Sequence, residues 1–414
     1  MRAIINKTKT IEGTVRISGA KNSAVAIIPA ATMADEPITL KNIPDIADVQ
    51  TLISILKKQG FNIDFKNNIL KLSNNKKVKT SFDDEVSKLR GSVYFLGAFI
   101  SKYHKIKISK IGGCNLGERP IDYHLDGLNK LNIKVKTNEN NIILKTRKII
   151  GNEISFKSPS VGATINLMLA SVKAYGRTIL RNSSTEPEVV DVGNFLKTMG
   201  AKIDGLGTKT IIINGVKKLY GCEYAIISDR IEAGTYMALA TLNQANRIRL
   251  KNINPKIMGS IIYTFEKMGM DINTTKNTIT ISRKNILNPV KIETLPYPGF
   301  PTDLSPIFSA CLINANGTSY IEENIYHERI SHVPELKKLG VDIYNINNQI
   351  IINGTSRLRN ARLTAHDLRC SAALLIAGLQ VNESVIIENI DYLFRGYENI
   401  INKLKALNIN IVIN

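Results

Sequence analysis

The sequence predicts an α/β protein of two closed domains, each built from three repeats with mixed sheets outside and helices inside. Three observations carry that expectation. The chain has 414 residues, more than one ordinary hydrophobic core organises. One helix-to-strand pattern recurs along it, and apolar helices rich in small residues alternate with that pattern.

The first element of the repeat is an amphipathic helix that ends in Gly or Asn and runs into a strand. It occurs at 56–63, 128–135, 196–203, 266–272, 336–343 and 404–411. Gly60, Asn132, Gly200, Gly269, Gly340 and Asn408 stand where a left-handed residue closes a helix, and alternating apolar residues after each read as a half-buried strand. The second element is a helix apolar on nearly every face, at 21–33, 90–100, 161–174, 231–242, 303–313 and 367–379. Such helices belong inside a domain with only their ends near the surface. An open solenoid would leave them uncovered on one side, so closed domains are expected. We expect one domain over 20–228, and a second over 1–19 plus 229–414. A strand over 9–17 is expected to pair with the C-terminal repeats and so return both termini to the second domain.

Composition excludes several function classes. With 43% hydrophobic and 22% charged residues the chain reads as soluble and globular. Its start, Met-Arg-Ala-Ile-Ile-Asn-Lys, has no apolar signal core, and its apolar runs are too short to cross a bilayer. A cytoplasmic location and no membrane partner are expected. Cys114, Cys222, Cys311 and Cys370 show neither metal spacing nor a disulfide framework, so no metal and no cofactor are expected. The net charge of +20 is spread over scattered lysines without a nucleic-acid motif, which points to small anionic substrates rather than nucleic acid.

Polar residues gather at the N-terminal ends of the apolar helices. Lys21 and Asn22 open the first, Arg90 the second, and Ser160, Val161 and Gly162 the third. Asp229 and Arg230 precede the fourth, Asp303 opens the fifth, and Asp367 and Arg369 the sixth. Helix N-termini suit phosphate and carboxylate groups. Asp303 and Asp367 read equally well as N-caps. Lys21, Arg90 and Arg369 do not, because a cation at a helix start is unfavourable unless an anion arrives. Arg329 and Arg395 each sit just before a repeat helix, where a guanidinium suits carboxylate or phosphate. The loop from Gly112 to Pro120 places Cys114 among glycines and beside Arg119, a setting that favours a reactive thiol. Cys222, Cys311 and Cys370 read as structural, and His124 as either a packing residue or a substrate contact.

Over essentially its whole length the chain resembles the enolpyruvyl transferase family, in particular the members that act on UDP-N-acetylglucosamine. The carriers are Ser-Gly-Ala-Lys-Asn (18–22), Gly-Gly-Cys (112–114), Arg-Pro-Ile-Asp (119–122), Ser-Val-Gly-Ala-Thr (160–164), Glu-Pro-Glu-Val-Val-Asp (186–191), Phe-Pro-Thr-Asp (300–303), Asp-Leu-Arg (367–369) and Arg-Gly-Tyr-Glu (395–398). The resemblance implies two inverted α/β-barrel domains. It also implies transfer of enolpyruvyl from phosphoenolpyruvate to the sugar 3-hydroxyl through a tetrahedral ketal, opening peptidoglycan synthesis. Cys114 would protonate the methylene carbon and Asp303 would take the hydroxyl proton. Lys21, Asn22, Arg119, Arg369 and Arg395 would hold phosphoenolpyruvate, with Lys21 and Arg395 also catalytic. The nucleotide sugar would meet Asn22, Arg90, Arg119, Pro120, Ile121, Asp122, Tyr123, His124, Ser160, Val161, Gly162, Asp303 and Ile325, with Arg329 and Asp367 in support. A monomer is expected. Glu118, Ser158, Phe394 and Cys370 depart from the family pattern.

Two alternatives stand beside this reading. One is 5-enolpyruvylshikimate-3-phosphate synthase, which shares donor and fold but lacks the loop cysteine. The other is a silent basic protein that binds nucleotide sugar or RNA, supported by the net charge alone.

Overall fold

The computed structural model describes residues 1–74, 77–109, 121–354 and 357–414. The predicted alternation of elements is present. The buried helices run over Lys21–Ala31, Tyr94–Tyr103, Val161–Ser171, Arg230–Leu239, Ser305–Cys311 and Leu368–Gly378. The second starts later than expected, after a 3-10 turn at Arg90–Val93, and the fifth is shortened by 3-10 turns at Thr302–Leu304 and Leu312–Asn314. Pro306 sits in the first turn of the fifth, where its missing N–H costs no helical hydrogen bond.

The predicted helix ends are left-handed at every repeat: Gly60, Asn132, Gly200, Gly269, Gly340 and Asn408 all have positive φ. A second asparagine device was not foreseen. Asn42, Asn182, Asn252 and Asn389 follow the strand after a buried helix, are also left-handed, and donate Nδ2 to the carbonyls of Ile226, Phe156, Ile17 and Ala365. Each of those carbonyls lies just beyond the neighbouring parallel strand, so the amide ties the two strand ends together. In the fifth repeat Glu323 takes the place, accepting from Thr294 Oγ1 at 2.9 Å and from the amides of Ile325 and Tyr326.

The chain forms two compact units. One holds the described residues between Gly19 and Ile227, the other Met1–Ser18 and Ser228–Asn414. Each has its own apolar core, made from the buried helices and the inner faces of its sheets. A typical sheet orders Lys291–Glu293, Thr318–Glu322, Gln349–Asn353 and Asp342–Ile346, with the first pair parallel and the others antiparallel. The sheet of Lys105–Ser109, Asn141–Lys145 and Lys134–Thr137 lacks the parallel strand and keeps a single bridge, Ser81 to Lys107.

The N-terminal strand pairs within the second unit as expected, over the shorter span Glu12–Arg16, and runs parallel to Arg247–Lys251 in the fourth repeat. The segment that meets the last repeat is Arg2–Ile5, which inserts antiparallel between Val385–Glu388 and Ile411–Ile413. Its alternation turns Ala3 and Ile5 into the core, which is what a strand between two partners requires.

On the outer face of the three-stranded sheet, Lys145 lies directly opposite Lys105 on one side and Lys134 on the other, all exposed. Like charges directly across strands repel. Lys145→Glu is therefore expected to stabilise the protein by about 0.5–1 kcal/mol in denaturant unfolding at low salt, with the gain shrinking as salt screens the pairs.

Candidate active site

In the discontinuous unit the start of the fifth buried helix carries a carboxylate clamped by two guanidiniums. Asp303 Oδ2 accepts from Arg369 at 3.2 Å, and its Oδ1 accepts from Arg329, which also donates to the Thr302 carbonyl at 3.2 Å. Arg329 and Arg369 are almost wholly buried, whereas the Asp303 side chain keeps a quarter of its surface. Burial alone would raise the Asp303 pKa, but Arg369 and then Arg329 outweigh it and hold the carboxyl well below its ordinary value. Burial disfavours the charge on Arg369, yet Asp303 more than restores it.

The orientation of Arg369 is set from behind. Thr235 Oγ1 donates to the Ile231 carbonyl at 2.9 Å, so the Tyr397 hydroxyl donates to Thr235 at 2.8 Å and accepts from Arg369 at 3.3 Å. Asp367 is a different case. Its Oδ1 caps the sixth buried helix through the amides of Arg369 and Cys370, at 2.8 and 3.0 Å, while Oδ2 accepts from Ser331 at 2.7 Å. The N-cap reading thus holds for Asp367 and fails for Asp303, which makes no cap bond.

In the continuous unit Lys21 opens the first buried helix, and its ammonium pairs with Asp48 at 2.9 Å. Asp48 is buried in the first turn of the helix Ala47–Gln59. The expectation that these helix-start cations wait for an arriving anion therefore needs correction: Lys21 and Arg369 already hold carboxylates supplied by the fold. Ser160 caps the third buried helix by accepting from the Ala163 amide. Gly162, the second residue of that helix, lies against the ring of His124, and a Cβ there would stand 3.1 Å from both Cε1 and Nε2. His124 is buried, and burial followed by the Arg90 charge pushes its pKa down to about 3. Both effects favour the neutral ring. Ile121 precedes, and Asp122 and Tyr123 begin, the helix Asp122–Lys130 that carries His124, and the Tyr123 hydroxyl lies 3.2 Å from Ser158 Oγ.

Asn22, Val161, Ile325 and Arg395 are all part-exposed, Ile325 with its amide bonded to Glu323 and Arg395 at the end of a 3-10 turn. Cys114, Glu118, Arg119 and Pro120 lie outside the described residues. Cys311 and Cys370 are fully buried, and burial raises each thiol to about 12. Phe394 packs on the core of its unit. Among the described residues, no group of three or more His, Cys, Asp or Glu side chains is arranged to hold a metal ion, and no helix is long and apolar enough to cross a membrane. Asp48, Tyr397 and Asn166 were missed. Tyr397 stood inside a quoted motif without a role, while Asp48 and Asn166 carried no sequence signal beyond a polar residue among apolar ones.

A family model described as EPSP synthase (3-phosphoshikimate 1-carboxyvinyltransferase) matches residues 5–404. The chain is 44% identical over 412 residues to a protein of Caldanaerobacter subterraneus subsp. tengcongensis named UDP-N-acetylglucosamine 1-carboxyvinyltransferase 3, covering 99% of this chain and 98% of the other. It is 41% identical over 403 residues to UDP-N-acetylglucosamine 1-carboxyvinyltransferase 2 of Geobacillus kaustophilus, covering 97% and 94%. In fold it is similar to the enolpyruvyl transferase NikO of Streptomyces tendae, with TM-score 0.90 and 23% identity over 99% of this chain and 98% of that one. EPSP synthase of Acinetobacter baumannii gives TM-score 0.78 at 16% identity, covering 100% and 99%.

Asp303 titrates below its unfolded value, so its pairing stabilises the fold above about pH 4 and is lost as pH falls through the depressed folded value. Asp303→Asn is expected to cost roughly 2–3 kcal/mol at pH 7, less than for a fully buried pair. The deficit should narrow below about pH 4 in acid-unfolding curves, as the unfolded wild-type chain takes up the proton that folded Asp303 does not.

Proposed function

The chain belongs to the EPSP synthase family of carboxyvinyltransferases, and within it we propose that it transfers enolpyruvyl from phosphoenolpyruvate to the 3-hydroxyl of UDP-N-acetylglucosamine. The observation that carries the reading is the Asp303–Arg369 pair: a carboxylate able to take a proton beside a guanidinium able to hold an anion. The full-length identity to relatives named for UDP-N-acetylglucosamine supports that acceptor over shikimate 3-phosphate.

The reaction needs proton movements in both of its steps and one leaving group. In addition, the sugar oxygen bonds to the enol carbon, its proton passes to Asp303, and Cys114 gives a proton to the methylene carbon. In elimination the carbon–phosphate oxygen bond breaks, the methyl group returns a proton to the Cys114 thiolate as the double bond is restored, and inorganic phosphate leaves with the proton held by Asp303. Paired to two arginines, Asp303 is a weak base. A donor carboxylate or phosphate competes with it for Arg369, loosens the pair and raises its basicity at the moment the acceptor must be deprotonated. Lys21, Arg119 and Arg395 share the anion's charge, so that negative charge on the phosphate and the ketal meets fixed cations rather than water. Arg90, the 121–124 segment and the Ser160–Gly162 helix start serve the nucleotide sugar, with Asp303 at its reacting hydroxyl. The same reading puts a monomeric protein in the cytoplasm, at the first committed step of peptidoglycan synthesis.

The test is phosphate release from phosphoenolpyruvate with each acceptor. Release with UDP-N-acetylglucosamine and none with shikimate 3-phosphate is expected, and the reverse overturns the proposal. Asp303→Ala and Cys114→Ala should each lower kcat by about 10²–10⁴-fold with the fold intact by circular dichroism. Full activity in both would remove the assigned roles.

A further inference from the structure

His124 is held by a buried amide whose orientation leaves no freedom. Asn166 lies in the third buried helix with no exposed surface. Its Oδ1 accepts from the Gly97 amide at 2.6 Å. A backbone N–H can only donate, so that end of the side chain must be the oxygen. The other end, Nδ2, then faces His124 Nδ1 at 2.9 Å. An amide NH₂ can only donate, so Nδ1 must present its lone pair, and the one proton of the neutral ring sits on Nε2. Gly97 makes this possible: a Cβ there would stand 2.2 Å from the Asn166 carbonyl oxygen and 2.5 Å from its Oδ1.

We propose that Asn166 is a positioning residue that locks His124 as a permanently neutral Nε2–H donor, and that the nucleotide-sugar atom it serves is a hydrogen-bond acceptor oxygen. The proposal rests on the nucleotide-sugar reading of this site for the ligand, though not for the tautomer. The ring's Cε1–Nε2 edge is the one turned to Gly162 at the start of the Val161–Ser171 helix. A second proton on Nδ1 would set two donors face to face at 2.9 Å.

The surrounding charges work the same way. Arg90, in the 3-10 turn before Tyr94–Tyr103, opposes a positive ring. The Val161–Ser171 helix has no titratable side chain, and its positive end also disfavours a cation. The Tyr94–Tyr103 helix offers Tyr94, Lys102 and Tyr103, none of them an anion at neutral pH, while Asp122 and Asp126 on the ring's own helix are exposed to solvent. His124 therefore gives orientation without charge, and leaves the substrate's negative charge to arginine and lysine.

Nitrogen-15 spectra of histidine-labelled protein, with the ring assigned by its loss in His124→Gln, test the lock directly. A pyrrole-type Nε2 and a pyridine-type Nδ1 that do not titrate between about pH 5 and 8 are expected. A proton on Nδ1, or titration in that range, overturns the proposal whatever substrate the protein uses. Asn166→Asp keeps the acceptor for Gly97 but turns an acceptor to Nδ1, so the ring proton should move there and Nε2 should become protonatable. The KM for UDP-N-acetylglucosamine should then rise about tenfold at pH 8 and recover toward pH 6, with kcat little changed, whereas the wild-type KM should lack this dependence. A KM in the variant that does not recover at lower pH marks a structural role only and also overturns the proposal. Absence of any turnover with UDP-N-acetylglucosamine would instead defeat the functional reading, leaving the spectra to decide the tautomer.

Discussion

Six helices without a polar face constrain everything else in this molecule. A helix such as Leu368–Gly378, buried from Arg369 to Gly378, can carry a charged group only where it starts or stops. The sheets wrap such helices, the left-handed Gly and Asn residues turn the chain from one layer to the other, and chemistry is pushed to the helix ends. The ends also bring the polarity that anion chemistry uses, since unpaired N–H groups collect at every start.

A cation at such an end is costly, and the fold offsets it from within. Asp48 answers Lys21, and Asp303 answers both Arg329 and Arg369. Each of these cations thus has a carboxylate partner within the fold and is not a bare charge. This separates the two aspartates at neighbouring helix starts. Asp367 spends its oxygens on backbone amides and a serine, while Asp303 spends its own on two guanidiniums.

What could be read from the sequence was what is local in it. Helix caps at Gly60 or Asn408 and the apolar helices follow from spacing within a few residues, and so did the polar residues that open them. Partners across repeats could not be read this way. Nothing near Asn166 announces that it faces His124 and Gly97, because those contacts join three separate repeat elements. Strand pairing was legible only coarsely: Glu12–Arg16 was expected among the C-terminal repeats, but its choice of Arg247–Lys251 within them is made by the closure of the sheet. The asparagines at 42, 182, 252 and 389 were the exception, a regular signal left unread because asparagine is common throughout the chain.

The placement of Arg2–Ile5 between Val385–Glu388 and Ile411–Ile413 bears on the order in which the protein can be made. The unit from Gly19 to Ile227 draws all its strands from one continuous stretch and can complete its sheets while the ribosome is still adding the remainder. Residues 2–16 have no such option. Glu12–Arg16 must wait for the fourth repeat, and Arg2–Ile5, apolar on its inner side, waits until Val385–Glu388 and Ile411–Ile413 have been added. For that interval it is an unpaired strand seeking a partner, and the basic residues Arg2, Lys7 and Lys9 around it act as gatekeepers against the wrong one.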